Sequence, residues 1–204
     1  MKEIVLIAGT CFQEAAGAAE WFRQRGAVVI EMTTAADAAE LAGALETIQA
    51  EGKLDYLIVQ ATHRGENVQP LGQLDDQDIS RVFDLGVNGT HALVEKMLPF
   101  LRQGKKRLGL ITSAATSTRE PKETKDFAFA MTQAGLHMLW KLYFNKLRPE
   151  GFTFRVFCPN EDGSGLCAGQ YMHMDFCYDV REEYIHSEEN RIVMRDGMMR
   201  EISW

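Results

Sequence analysis

The chain has 204 residues, 46% of them apolar and 25% charged, which excludes a disordered or fibrous chain and suits one domain that buries its own core. Its 29 acidic and 22 basic residues give a net charge of −7. The basic residues are scattered apart from Lys105-Lys106-Arg107, which argues against a nucleic-acid surface or an anionic membrane as partner.

Ile4–Ala8 is a continuous apolar run of strand length, as expected for a buried parallel strand. Gln13–Gly26 reads as a helix, with Ala15, Ala16, Ala19, Trp21 and Phe22 inward and Gly26 at its end. A second strand follows at Ala27–Met32, then a helix at Ala35–Ala50 and a strand at Leu54–Gln60. Ile79–Leu101 is a long helix introduced by Asp75-Asp76-Gln77-Asp78. A strand at Arg107–Thr112, a helix at Phe127–Leu147 and a strand at Phe152–Cys158 complete the alternation. Strict alternation implies right-handed crossovers and a parallel sheet covered on both faces, a doubly wound, three-layered α/β fold. After Pro159 the pattern loosens, and residues 159–204 read as loop, short helix and a closing strand-turn unit within a single domain over 1–204.

The start, MKEIVLIAG, enters a strand directly, without a signal-peptide cleavage region. No apolar run reaches the roughly 18 residues that a membrane span needs. Cys11, Cys158, Cys167 and Cys177 form no C-x-x-C pair, so reduced thiols in a cytoplasmic protein are expected.

Several stretches together resemble the short-chain dehydrogenase/reductase family. FAFAMTQAGLHMLWKLYFNKLRPEGFTFRVFCPN (Phe127–Asn160) is similar to its active-site helix and the following L-x-P-x-G strand entry. Val5–Val29 is similar to its nucleotide-binding start, and KLDYLIVQAT (Lys53–Thr62) to its L-D-x-L-V-N-N-A-G strand. LITS (Leu110–Ser113) matches the strand that delivers its catalytic serine, and the final ISW matches the end of some compact members. The resemblance implies a Rossmann-like sheet shortened by one strand-helix unit, because Met32–Gly52 holds only one helix.

The family transfers a hydride to or from a nicotinamide. Its tyrosine passes the proton, a lysine four residues on lowers the tyrosine pKa, a serine holds the carbonyl oxygen, and an asparagine supports a water relay. A phenol with pKa near 10 needs that cation to act at neutral pH. Carried over by register, Ser113 is retained, the tyrosine position is Phe129, the lysine position is Gln133 and the asparagine position is Gly86. No Y-x-x-x-K occurs anywhere in the chain. Losing a positioned proton donor costs about 10²–10⁴ in rate. His63, His91 and His137 are substitutes by residue type only.

The family's T-G-x-x-x-G-x-G cradle here reads Ala8 to Ala15, AGTCFQEA, with Gly9 the surviving glycine. Thr10, Gln13, Glu31 and Gln60 are what remains of candidate cofactor contacts, Glu31 as the acid for a ribose diol and Gln60 in place of the first asparagine of N-N-A-G. The missing glycines normally admit the pyrophosphate to the helix N-terminus. T-C-F-Q instead fits a capping box in which Thr10 accepts from the Gln13 N–H and Gln13 reaches back, with Glu14 on the positive end of the dipole. The expectation is therefore no cofactor, and NAD(P) if any.

Ser113 lacks a surrounding G-x-S-x-G, so it does not read as a hydrolase nucleophile. His173, Asp175, Cys177, Asp179 and His186 match no common metal spacing, and Asn160-Glu161-Asp162-Gly163 resembles a calcium loop in composition alone, so no metal is expected. Helix Phe127–Leu147 is apolar around most of its circumference, so it is expected to pack on a second subunit as well as on its own sheet, making a homodimer through helices 79–101 and 127–147. Three readings follow. The first is a catalytically silent relative, a pseudoenzyme that binds a ligand or partner as a homo-oligomer. The second is an NAD(P)-dependent oxidoreductase with a non-standard proton donor, and the third is an unrelated activity grafted into the old cleft.

Overall fold

The computed structural model describes residues 2–64, 73–113, 126–160, 162–174 and 192–203. The strands β1 (Ile4–Ala8), β2 (Val28–Met32), β3 (Tyr56–Gln60), β4 (Arg107–Ile111) and β5 (Thr153–Cys158) lie within a residue or two of their predicted bounds. Every residue of β1 and β3 is buried, as parallel strands covered on both faces require. The closing strand-turn unit forms β6 (Met194–Asp196) and β7 (Glu201–Ile202). The sheet has seven strands in the order β2-β1-β3-β4-β5-β6-β7, all parallel except the β6–β7 pair. The chain leaves β1 for β2 on one side and returns to β3 on the other, so the topological switch lies between β1 and β3. Between β2 and β3 stands only α2 (Ala38–Glu51), and β2 is the edge strand, which is the expected compaction.

Alternate side chains of the strands enter two cores. Leu6, Leu57, Leu110 and Val156 face a layer built from α2, α4 (Gly89–Leu101) and α5 (Phe127–Leu147), where Leu93, Met97, Leu136 and Trp140 are buried. Val5, Ile7, Ile58 and Phe157 face α1 (Gln13–Gln24) and α6 (Ala168–His173), the short helix of the C-terminal segment. In α1 the inward residues are Ala15, Ala18, Ala19 and Phe22, so small side chains bring this helix close to the sheet. No helix among the described residues is long and apolar enough to cross a membrane.

The long helix differs from its predicted form. It begins three residues earlier, as α3 (Asp76–Phe83), because the Asp75 carboxylate accepts from the Gln77 and Asp78 amides and caps it. A π-helical turn, Asp84–Asn88, then interrupts it before α4. Gly86 sits in that turn, where a Cβ would stand 2.4 Å from Thr132 Cγ2 on α5. The widened turn and the bare glycine together let the two helices pack in contact. We expect Gly86→Asn, which restores the family's residue type, to lower unfolding stability by about 2 kcal/mol through overpacking. Thr132→Ser, which removes the obstructing methyl, should recover most of that loss in urea titrations of the double variant.

Candidate functional site

The β1–α1 turn is pinned to both neighbouring strands. Gly9 has φ 104°, and a Cβ there would lie 2.0 Å from the Gln60 carbonyl oxygen, so only glycine lets the turn rest on the end of β3. The Gly9 and Thr10 amides donate to the Met32 carbonyl at 2.9 and 3.1 Å, and the Thr10 hydroxyl donates to the same oxygen at 3.1 Å. The capping box expected at Thr10 and Gln13 is therefore not formed. The N-cap of α1 is Phe12, which makes no side-chain cap, because the Thr10 hydroxyl is spent on β2.

The cap comes from another strand. Gln60, at the end of β3 and only 4% exposed, accepts from the Ala15 amide through Oε1 at 2.9 Å. Its Nε2 donates to Glu14 Oε2 at 2.8 Å. A carboxamide and a carboxylate thus occupy the positive end of α1, satisfying one of its open amides and part of its dipole. A pyrophosphate arriving there would have to displace Gln60 and would meet Glu14. The residues present do not fit that group in the manner of an open glycine cradle.

A second knot lies where α5 begins. Asp126 takes a left-handed conformation, φ 59°, and caps α5 by accepting from the Phe129 amide at 3.3 Å. Its other oxygen pairs with Arg64 Nη1 at 2.6 Å, and the Arg64 guanidinium lies over the Phe129 ring, 4.1 Å from its centroid. Phe129, which the sequence register sets at the tyrosine position, is therefore a buried ring with no hydroxyl, covered by a cation. Arg64 and Asp126 went unflagged in the sequence because they are 62 residues apart and belong to no motif.

Gln133, which the sequence register sets at the lysine position, is wholly buried. Gln133 Nε2 donates to the Ala61 carbonyl at 2.6 Å, and its Oε1 accepts from the Thr112 hydroxyl at 3.3 Å. That hydroxyl also meets His137 Nε2 at 2.7 Å. Gln133 thus ties β3, β4 and α5 together as a neutral crosslink. Burial pushes the His137 pKa down to about 4, so the ring is neutral at pH 7 and lacks the acidic proton of an imidazolium. Burial, with the Arg81 charge, also lowers the pKa of His63, whose Nε2 is buried with no partner among the described residues. His91 contacts the Tyr143 hydroxyl at 2.6 Å on the α4–α5 face.

These elements frame a cleft of about 590 Å³ at the carboxyl ends of the strands, beside the topological switch. Gln13, Gln60, Arg64, Ser113, Phe129 and Asn160 are among the residues that line it. Of the predicted site residues, the fold brings Gln13, Gln60, Ser113 and Phe129 together there, while Gly9, Thr10, Glu31, Gly86 and Gln133 are not on its lining. Glu31 is on the β2 edge, paired with Arg23 of α1. His173 lies at the opposite end of the strands, and the other tail candidates, Asp175, Cys177, Asp179 and His186, lie outside the described residues. Among the described residues, the cleft offers hydrogen bonds, the Glu14 carboxylate and one guanidinium, but not a phenol beside an ammonium.

The buried imidazole has a measurable consequence. Its pKa is lower folded than unfolded, so between pH 6.5 and about 4 the unfolded chain binds a proton that the folded chain does not. Stability should fall as pH drops through that window, with about 3 kcal/mol of the loss due to His137. Urea midpoints measured against pH should show this slope, and His137→Gln should flatten it.

Residues 3–163 match the family model described as short chain dehydrogenase. The C-signal protein of Myxococcus xanthus is 34% identical over 117 residues, which cover 57% of this chain and 70% of that protein. Among solved structures, a Caenorhabditis elegans protein described as the carbonyl reductase Sniffer superposes with a TM-score of 0.75 at 13% identity, over 100% of both chains. A Burkholderia multivorans protein described as a short-chain dehydrogenase/reductase, solved with bound NADP, gives 0.72 at 13% identity, again over 100% of both chains. With four-fifths of its length matched by the family model and a sheet of the same architecture, this chain belongs to the short-chain dehydrogenase family.

Proposed function

We propose that this protein uses the short-chain dehydrogenase fold for binding rather than for hydride transfer, as a homodimer whose cleft accepts a ligand or a partner segment. The observation that carries this is the paired replacement at the reaction centre. Phe129 lies under Arg64 where the phenol would act, and Gln133 is locked in a buried amide network where the ammonium would act. The Gln60–Glu14 contact at the α1 terminus supports the same reading, because it fills the place of the phosphates.

The second reading, an NAD(P)-dependent oxidoreductase with an unorthodox acid, draws on Ser113 at the cleft and on the bound NADP of the Burkholderia multivorans relative. The grafted-activity reading loses His173, which stands at the far end of the strands from Ser113. Titration with NADH and NADPH, followed by fluorescence and by melting temperature, separates the first two. We expect no response at millimolar cofactor. A micromolar complex would raise the melting temperature through linkage and overturn the reading that the Gln60–Glu14 contact closes the α1 terminus to the cofactor.

The dimer reading rests on α5. Met131, Met138 and Leu142 are 51, 59 and 56% exposed and recur at spacings of seven and four, along one outward face of a helix whose other side is core. Beside them, α4 joins α5 through the Tyr143 hydroxyl, which contacts His91 and Glu95. A second copy related by a twofold axis would cover this stripe on both protomers at once. Sedimentation should show a dimer at micromolar concentration and a monomer for Met138→Glu. A monomeric wild type would sink the dimer reading.

A further inference from the structure

The opposite end of the sheet carries a second cleft, of about 820 Å³, at the amino ends of β1, β3 and β4. Lys2, Arg25, Lys53 and Lys105 line it, together with Glu3, Asp55 and His173. Four cations against two carboxylates leave it two charges positive, in a chain whose net charge is −7. The acids are already engaged. Asp55, 2% exposed, accepts from the Ile4 amide at 2.9 Å and the Lys105 amide at 3.2 Å, and pairs with Lys53 at 2.7 Å. Glu3 pairs with Lys105, accepts from the Tyr56 hydroxyl at 3.3 Å and lies 3.6 Å from His173.

Lys2 and Arg25 have no carboxylate partner among the described residues. Arg25 is held in place by stacking on Trp21, 3.7 Å from the ring, which leaves its N–H edge to reach outward. Trp21 in turn touches the His173 ring at 5.2 Å. The local field is visible at His173. Burial lowers its pKa first, and the charges of Lys105, Arg107 and Arg25 lower it further against the opposing effect of Glu3.

We propose that this cleft binds a soluble phosphate monoester, with Lys2 and Arg25 as its free anchors. A phosphate group carries between one and a half and two negative charges at neutral pH, which matches the surplus. A guanidinium and an ammonium are the donors that suit its oxygens. The volume exceeds one phosphate and leaves room for an organic residue. This site is independent of the carboxyl-end cleft and of how that cleft is used.

Inorganic phosphate and glycerol phosphate, titrated into the full chain at constant ionic strength, are the probes. Trp21 emission should respond saturably, and the His173 ring should titrate at higher pH when the anion is bound. Lys2→Ala and Arg25→Ala, both at exposed positions, should each weaken binding about tenfold, whereas Glu3→Gln should tighten it, since one of the two carboxylates that line the cleft is neutralised. Absence of saturation, or affinity unchanged in Lys2→Ala and Arg25→Ala, would overturn the site. So would retention on phosphatidylglycerol vesicles with no response to the soluble phosphates, because the ligand would then be a lipid surface.

Discussion

The side chain of Gln60 holds the centre of this molecule together. From the end of β3 it reaches the first turn of α1, accepts from one backbone amide and hands its own N–H to Glu14. Its backbone, meanwhile, is the surface on which Gly9 rests. The turn that a nucleotide would ordinarily organise is thus organised from within. A helix terminus is expensive to bury with its amides open, and a ligand, a water or a side chain must serve them. Here a side chain does so.

The same substitution of internal contacts for a ligand's contacts recurs at α5. Where the family places a charged, reactive pair, this chain has a ring capped by Arg64 and an amide shared among three elements. Burying a lysine at the Gln133 position would need a partner for its charge. Glutamine instead offers a donor to Ala61 and an acceptor to Thr112, so both ends are satisfied without charge. His137 joins that network as a neutral imidazole, which suits a buried polar group and disqualifies it as an acid at pH 7. The centre is consistent as structure, with Gln133, Thr112 and His137 joined in one buried neutral network.

Much of this architecture was legible from periodicity. The strands of β1 and β3 are unbroken apolar runs, and α5 takes the bounds that its pattern predicts. The departure from the family's motifs was legible too, since it depends only on residue identity at Gln13, Ala15, Phe129 and Gln133. What could not be read were contacts between distant segments. Thr10 fits a capping box by local spacing, yet its hydroxyl turns to Met32, 22 residues away, and the cap arrives from Gln60, 45 residues from the amide it serves. Arg64 and Asp126 meet because the chain leaves β3 and enters α5 on the same side of the sheet, at the carboxyl ends of the strands. The π turn at Asp84–Asn88 has no local signature either. It answers to the methyl of Thr132 on another helix.

That methyl has a consequence for substitution. Side chains of the family's own types at these three positions would each enter a space already committed: an asparagine at 86 meets Thr132, a lysine at 133 brings an unpaired charge into a buried amide network, and a hydroxyl on the ring at 129 must share its surroundings with Arg64. Because these neighbours share helix α5, such changes would not combine independently, and the packing around them would have to be altered together.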